Sequence, residues 1–128
     1  MIYLDSSTAL AHLFGEARLP TSAVWRERVV SSRLLEYELW NRFHARGYSQ
    51  SHGDMVEALL SRVSLIELSP SVLARALKPF PVSVRTLDGL HLATIEFLRV
   101  RRDDVELASY DDRLVEAARA LGVAIYPL

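Results

Sequence analysis

Short apolar runs separated by stretches of helical periodicity recur along this 128-residue chain, and that alternation is the strongest constraint on its fold. The runs at residues 1–4, 29–32, 63–68, 105–109 and 123–126 are too short for buried helices and rich in Val, Ile and Leu, so they predict five strands. Between them apolar side chains return every three or four positions. Examples are Ala9, Leu10, Leu13 and Phe14; Leu35, Leu39, Trp40 and Phe43; Met55, Leu59 and Leu60; and Leu87, Leu90, Thr94 and Leu98. A further amphipathic stretch runs through Trp25, after Gly15 and Pro20. The punctuation agrees: Asp5-Ser6-Ser7-Thr8 supplies caps, Ser69-Pro70 opens a helix, Gly47 and Gly122 stop helices, and Pro79 and Pro81 break one. Arg101-Arg102-Asp103-Asp104 reads as a solvated loop closing the helix at residues 86–101. Strands alternating with helices predict an α/β fold around a mostly parallel sheet covered on both faces, with ligands gathering at the carboxyl ends of the strands.

Half the residues are hydrophobic, which suits one core, so residues 1–128 are read as a single domain. A net charge of −1 advertises no strongly basic surface, although Lys78 is the single lysine among 15 basic residues and arginine suits phosphate. With no cysteine, disulfides, thiolate nucleophiles and Cys-based zinc sites are excluded. The opening Met1-Ile2-Tyr3-Leu4-Asp5 lacks a basic leader and no run is long enough to span a bilayer, so a cytoplasmic protein is expected.

Inspection of the predicted strand ends finds Asp5 after the first and Asp111 after the fourth, with Asp112 beside it. Glu38 lies one turn into the helix after the second strand, and Asp88 in the first turn of the helix opened by Thr86. Each acid alone has a structural use: Asp5 and Asp111 as N-caps, Asp88 against a helix dipole, Glu38 paired with Arg42. Brought to one sheet edge, they would repel one another unless protonated or bridged by cations, and hard oxygens suit Mg²⁺ or Mn²⁺.

Four segments resemble the PIN-domain ribonucleases, and most closely the VapC-type toxins of toxin-antitoxin pairs. They are Ile2-Tyr3-Leu4-Asp5-Ser6-Ser7; Leu34-Leu35-Glu36-Tyr37-Glu38-Leu39; Leu87-Asp88-Gly89-Leu90-His91-Leu92-Ala93-Thr94; and Ala108-Ser109-Tyr110-Asp111-Asp112-Arg113-Leu114 with its Leu121-Gly122-Val123 ending. Ser109 stands where the family usually has threonine, and Gly89 where alanine is commoner, a change expected to loosen that helix by up to about 1 kcal/mol. The resemblance implies a three-layer fold with sheet order 3-2-1-4-5. It also implies metal ligands Asp5, Asp88 and Asp111 completed by Glu38, a homodimer, a cognate antitoxin, and hydrolysis of RNA by metal-activated water. Asp112 is read as a first-turn acid of the last helix.

Around these acids, Ser7 is a candidate for holding an acid or a metal-bound water, and His91 is read as a packed helix residue rather than a general base. Arg42, Arg46 and Arg85 are candidates for phosphate contacts. Trp25, Tyr37, Trp40 and Phe43 are assigned to core or interface, and His12, His44 and His52 to the surface or local structure. Two other readings compete: a catalytically silent PIN-like module that binds RNA or protein, and a phosphatase using Asp5 as nucleophile. The second is disfavoured because Ser7 stands where a second aspartate would be needed.

Overall fold

The computed structural model describes residues 1–15, 22–101 and 104–128; Pro20 and the Arg102-Asp103 part of the charge run lie outside them. The expected strands form as β1 (Ile2–Leu4), β2 (Val29–Ser32), β3 (Ser64–Ile66), β4 (Glu106–Ala108) and β5 (Ala124–Ile125). Every pairing is parallel and the order is β3-β2-β1-β4-β5. Strands β3, β4 and β5 are shorter than the apolar runs that encode them. The helices are α1 (Ser6–Phe14), α2 (Leu34–Ala45), α3 (Ser49–Leu60), α4 (Pro70–Ala76), α5 (Thr86–Val100) and α6 (Asp112–Ala120). The stretch through Trp25 is a 3-10 helix at Ser22–Arg26. Ser69 caps α4 with proline in its first turn, as the sequence predicts.

Side-chain alternation along the central strands builds the three layers. Ile2, Leu4 and Val29 enter one core with Ala9, Leu13, Leu35, Leu39, Phe43, Val56 and Leu59, which places α1, α2 and α3 on that face. Tyr3, Val30 and Leu107 point the other way, into a core with Leu92, Ile95, Leu98, Leu114 and Ala118 from α5 and α6. Helix α4 packs against α5. A Cβ added at Gly89, early in α5, would meet Val84 and Phe80 at 3.5 and 3.6 Å, an ordinary contact, so packing does not demand glycine there.

The strand order reverses between β1 and β4, where the chain leaves β1 for β2 on one side and β4 for β5 on the other. In parallel sheets such a switch point opens a crevice at the carboxyl ends of the strands. Asp5 follows β1 directly, and its backbone N–H donates to the carbonyl of Ala108, the last residue of β4. Among the described residues no helix is long and apolar enough to cross a membrane.

Candidate active site

Asp5 is 4% exposed and is held by hydroxyls from both strand ends. Its Oδ2 accepts from Ser7 Oγ at 2.7 Å, from Ser109 Oγ at 2.8 Å and from the Ser7 backbone N–H at 3.3 Å, the last being the N-cap bond of α1. Each hydroxyl in turn accepts a backbone N–H: Ser7 that of Tyr110, and Ser109 that of Asp111, both at 2.9 Å. Ser7 therefore holds an acid, one of its two expected roles. Ser109, in place of the family's threonine, does its work through the hydroxyl that both residues share. Capping α1 and bonding the end of β4 are not alternatives for Asp5, since one carboxylate oxygen does both.

Glu38 reaches the same edge from α2, but not by the Arg42 pairing weighed from sequence. Its Oε1 is 2.6 Å from His91 Nε2, and its Oε2 accepts from Ser6 Oγ at 3.2 Å. His91 is buried, and its Nδ1 lies 2.6 Å from the hydroxyl of Tyr3, which accepts the Ser32 backbone N–H at 3.2 Å. Burial pulls the imidazole pKa down, but the Glu38 hydrogen bond and the charges of Glu38, Asp5 and Asp88 lift it above its ordinary value. Burial holds the Tyr3 hydroxyl protonated far above the usual tyrosine range. The reading of His91 as a packed helix residue is correct about burial and incomplete about its partner.

Asp88 and Asp111 share one guanidinium. Arg85, at the N-cap of α5, donates from Nε to Asp88 Oδ2 at 3.0 Å and from a terminal nitrogen to Asp111 Oδ2 at 2.7 Å. Asp111 divides its oxygens: Oδ1 caps α6 by accepting from the Arg113 and Leu114 N–H groups, while Oδ2 meets the arginine. Burial raises the Asp88 pKa, Arg85 opposes the rise, and the charges of Asp111 and Asp5 add to it. Asp88, chiefly, lifts that of Arg85 further. A cleft of about 340 Å³ beside this pair is lined by Val84, Arg85, Asp88, Arg113 and Glu116.

Asp88 and Asp111 are thus linked through Arg85, while Asp5 and Glu38 are each held by separate donors. Among the described residues, no group of three or more His, Cys, Asp or Glu is gathered closely enough to hold a metal ion. The donor chemistry nevertheless fits a hard divalent cation: the oxygens are carboxylate, and a cation already sits between Asp88 and Asp111 in the form of the Arg85 guanidinium. Other expectations need adjustment. Arg85, anticipated as a phosphate contact, bonds two acids of this edge, and Arg46 lies over the Phe14 ring, 4.2 Å from its centroid. Tyr37 is 62% exposed and belongs to no core, whereas Phe43 is buried. Trp25 and Trp40 pack partly buried against the first core. Asp112 is exposed in the first turn of α6. His44 stacks on Trp40, and His12 and His52 meet Trp25 and Tyr48 with tilted rings. Sequence reasoning missed Tyr3 and Ser6 as parts of the site; a tyrosine midway along a central strand was the available signal, because a buried hydroxyl requires a partner.

Comparison with known proteins matches the PIN domain family over residues 2–120. The chain belongs to the PIN-domain family, as a VapC-type member. Curated relatives from Mycobacterium tuberculosis include Ribonuclease VapC46 (strain H37Rv), 35% identical over 97% of this chain and 95% of the relative. Ribonuclease VapC35 is 30% identical over 98% and 95%, and Ribonuclease VapC47 (strain CDC 1551) 27% identical over 95% and 93%. In this PIN domain Asp5 and Asp111 follow β1 and β4, Asp88 lies in the first turn of α5, and Glu38 lies within α2.

Proposed function

We propose that this PIN domain is the toxin of a toxin-antitoxin pair, an endoribonuclease that hydrolyses RNA phosphodiester bonds with Mg²⁺ or Mn²⁺ and is neutralised by a cognate antitoxin. The observation that carries the reading is the pairing of Asp88 and Asp111 through one cation, beside the β1–β4 switch point where Asp5 is tied to Ser109. The ribonuclease names of relatives matched along nearly the whole chain support the activity and the RNA substrate. Asp5, Asp88 and Asp111 would hold the ion, with Glu38 completing the shell directly or through water. When bound, a divalent ion would supply an activated water and stabilise charge on the phosphoryl oxygens. The chain's own residues prepare that site: Ser7 and Ser109 orient Asp5, α6 fixes Asp111, and Arg85 and Arg113 line a cleft in which RNA phosphates would lie. The family likeness also supports a homodimer working in the cytoplasm.

A second reading, a silent module that binds RNA or protein without cutting it, draws on Arg85 already occupying an oxygen of both Asp88 and Asp111. Single-turnover assays on a panel of structured RNAs, with Mg²⁺ and with EDTA, separate the two. Cleavage that requires the ion supports the nuclease; binding without cleavage under both conditions identifies the silent module.

A further inference from the structure

His91 lies between two groups that sequence gives no reason to connect. Tyr3 is in the middle of β1 and Glu38 is on α2, on the opposite face of the sheet from the core that receives the Tyr3 ring. The imidazole spans them with two contacts of 2.6 Å, Nδ1 to the Tyr3 hydroxyl and Nε2 to Glu38 Oε1. Tyr3 is itself fixed by the Ser32 N–H, and its ring meets the imidazole edge-on at 5.7 Å between centroids. His91 has 1% of its side chain exposed against 16% for Glu38, so only the carboxylate reaches the site's surface. Such an arrangement orients an acid: the acceptor atom is named, the donor ring cannot rotate without losing two bonds, and the far end of the chain is anchored to backbone.

We infer that His91 is a positioning residue that aims the Glu38 carboxylate at the acidic edge through an Nε2–H donor, with Tyr3 and the Ser32 N–H locking the ring. The inference rests on the nuclease reading, because the orientation of Glu38 matters only if the edge binds an ion. A packing histidine would serve α5 alone, and a general base would need access to substrate. His91 is buried and bonded at both ring nitrogens.

The test measures Mg²⁺-dependent RNA cleavage and, separately, Mn²⁺ affinity by calorimetry for His91→Leu, His91→Gln, Glu38→Gln and the Glu38→Gln/His91→Leu double variant. His91→Leu should lower kcat and Mn²⁺ affinity by about 10- to 100-fold. His91→Gln, which keeps an N–H donor but no base, should stay within about 5-fold of the parent. In the Glu38→Gln background His91→Leu should cost less than about 3-fold, because the residue acts through Glu38. Equal losses in both backgrounds, or a glutamine no better than leucine, overturn the proposal. Should His91→Leu fail to fold, Tyr3→Phe in the two backgrounds decides by the same comparison: a loss confined to the Glu38 background supports positioning, and an equal loss refutes it. A parent protein that binds Mn²⁺ without cleaving RNA refutes the nuclease reading while the affinity comparison still judges His91; one that does neither refutes both.

Discussion

The two halves of the acidic edge are built by different physics. On the half that contains the buried Asp5, Asp5 and Glu38 are held by hydroxyls, a backbone amide and an imidazole. On the outer half, named for its exposed countercharge, Asp88 and Asp111 share one arginine whose side chain is 54% exposed, although Asp88 itself is as sheltered as Glu38. Donors that are part of the strand ends cannot leave without unfolding the edge; a half-exposed guanidinium on a flexible stem can. The contrast divides the labour between a preorganised wall and a displaceable countercharge.

The largest effect should come from the fixed half. Asp5→Asn keeps the shape and an acceptor for Ser7 and Ser109 but removes the charge that would face a divalent ion. Mg²⁺-dependent cleavage should fall by at least about 100-fold, more than typical losses from supporting residues. Parallel thermal unfolding shows whether the fold survives. A folded Asp5→Asn protein that cuts RNA at the parent rate would remove the buried half from the mechanism.

That the two halves differ was only partly legible in the sequence. The alternation of strands and helices gave the α/β class, and Asp5, Glu38, Asp88 and Asp111 stood out as acids at element ends. The sheet order came from family resemblance, and the structure agrees with it. What could not be read were contacts set by packing across layers: Tyr3 and His91 are 88 positions apart, and no periodicity pairs them. Arg85 was identifiable as a cation near the site, but the chemistry that suits a phosphate suits two carboxylates equally well, and only coordinates distinguish them. Tyr37 followed the same apolar-looking helix as Leu39 and Phe43 yet faces solvent, because composition marks a helix more clearly than it marks which face is buried.

An intermediate effect should come from the displaceable half. Arg85→Gln removes the group that competes with an ion for Asp88 and Asp111, so Mn²⁺ should bind about two- to five-fold more tightly, the size expected for half-exposed charge pairs. The same change removes a cation from the cleft, so RNA affinity should weaken and its log–log salt slope should drop by about 1. Opposite signs for ion and RNA are the signature of a countercharge that changes partners. Calorimetry showing weaker Mn²⁺ binding in Arg85→Gln would instead make Arg85 a support of the ion site and erase the distinction between the halves.

The smallest effect concerns stability without metal. Asp88 has a raised pKa because burial, aided by Asp111 and Asp5, outweighs the Arg85 bond. Its carboxyl therefore takes up a proton more readily in the folded than in the unfolded chain. The stability gained from that proton is complete below the ordinary aspartate value of 3.8 and is lost as pH rises through the raised folded value. Asp88→Asn is neutral at every pH, so in EDTA it should unfold at a higher temperature than the parent at pH 7, with the gap closing in acid. Saturating Mn²⁺ should reverse the ranking, because an ion that binds only the folded parent stabilises it by mass action while the variant has lost a ligand. If Asp88→Asn is the less stable protein in EDTA at neutral pH, the Arg85 bond outweighs burial after all, and the outer half is held as firmly as the inner one.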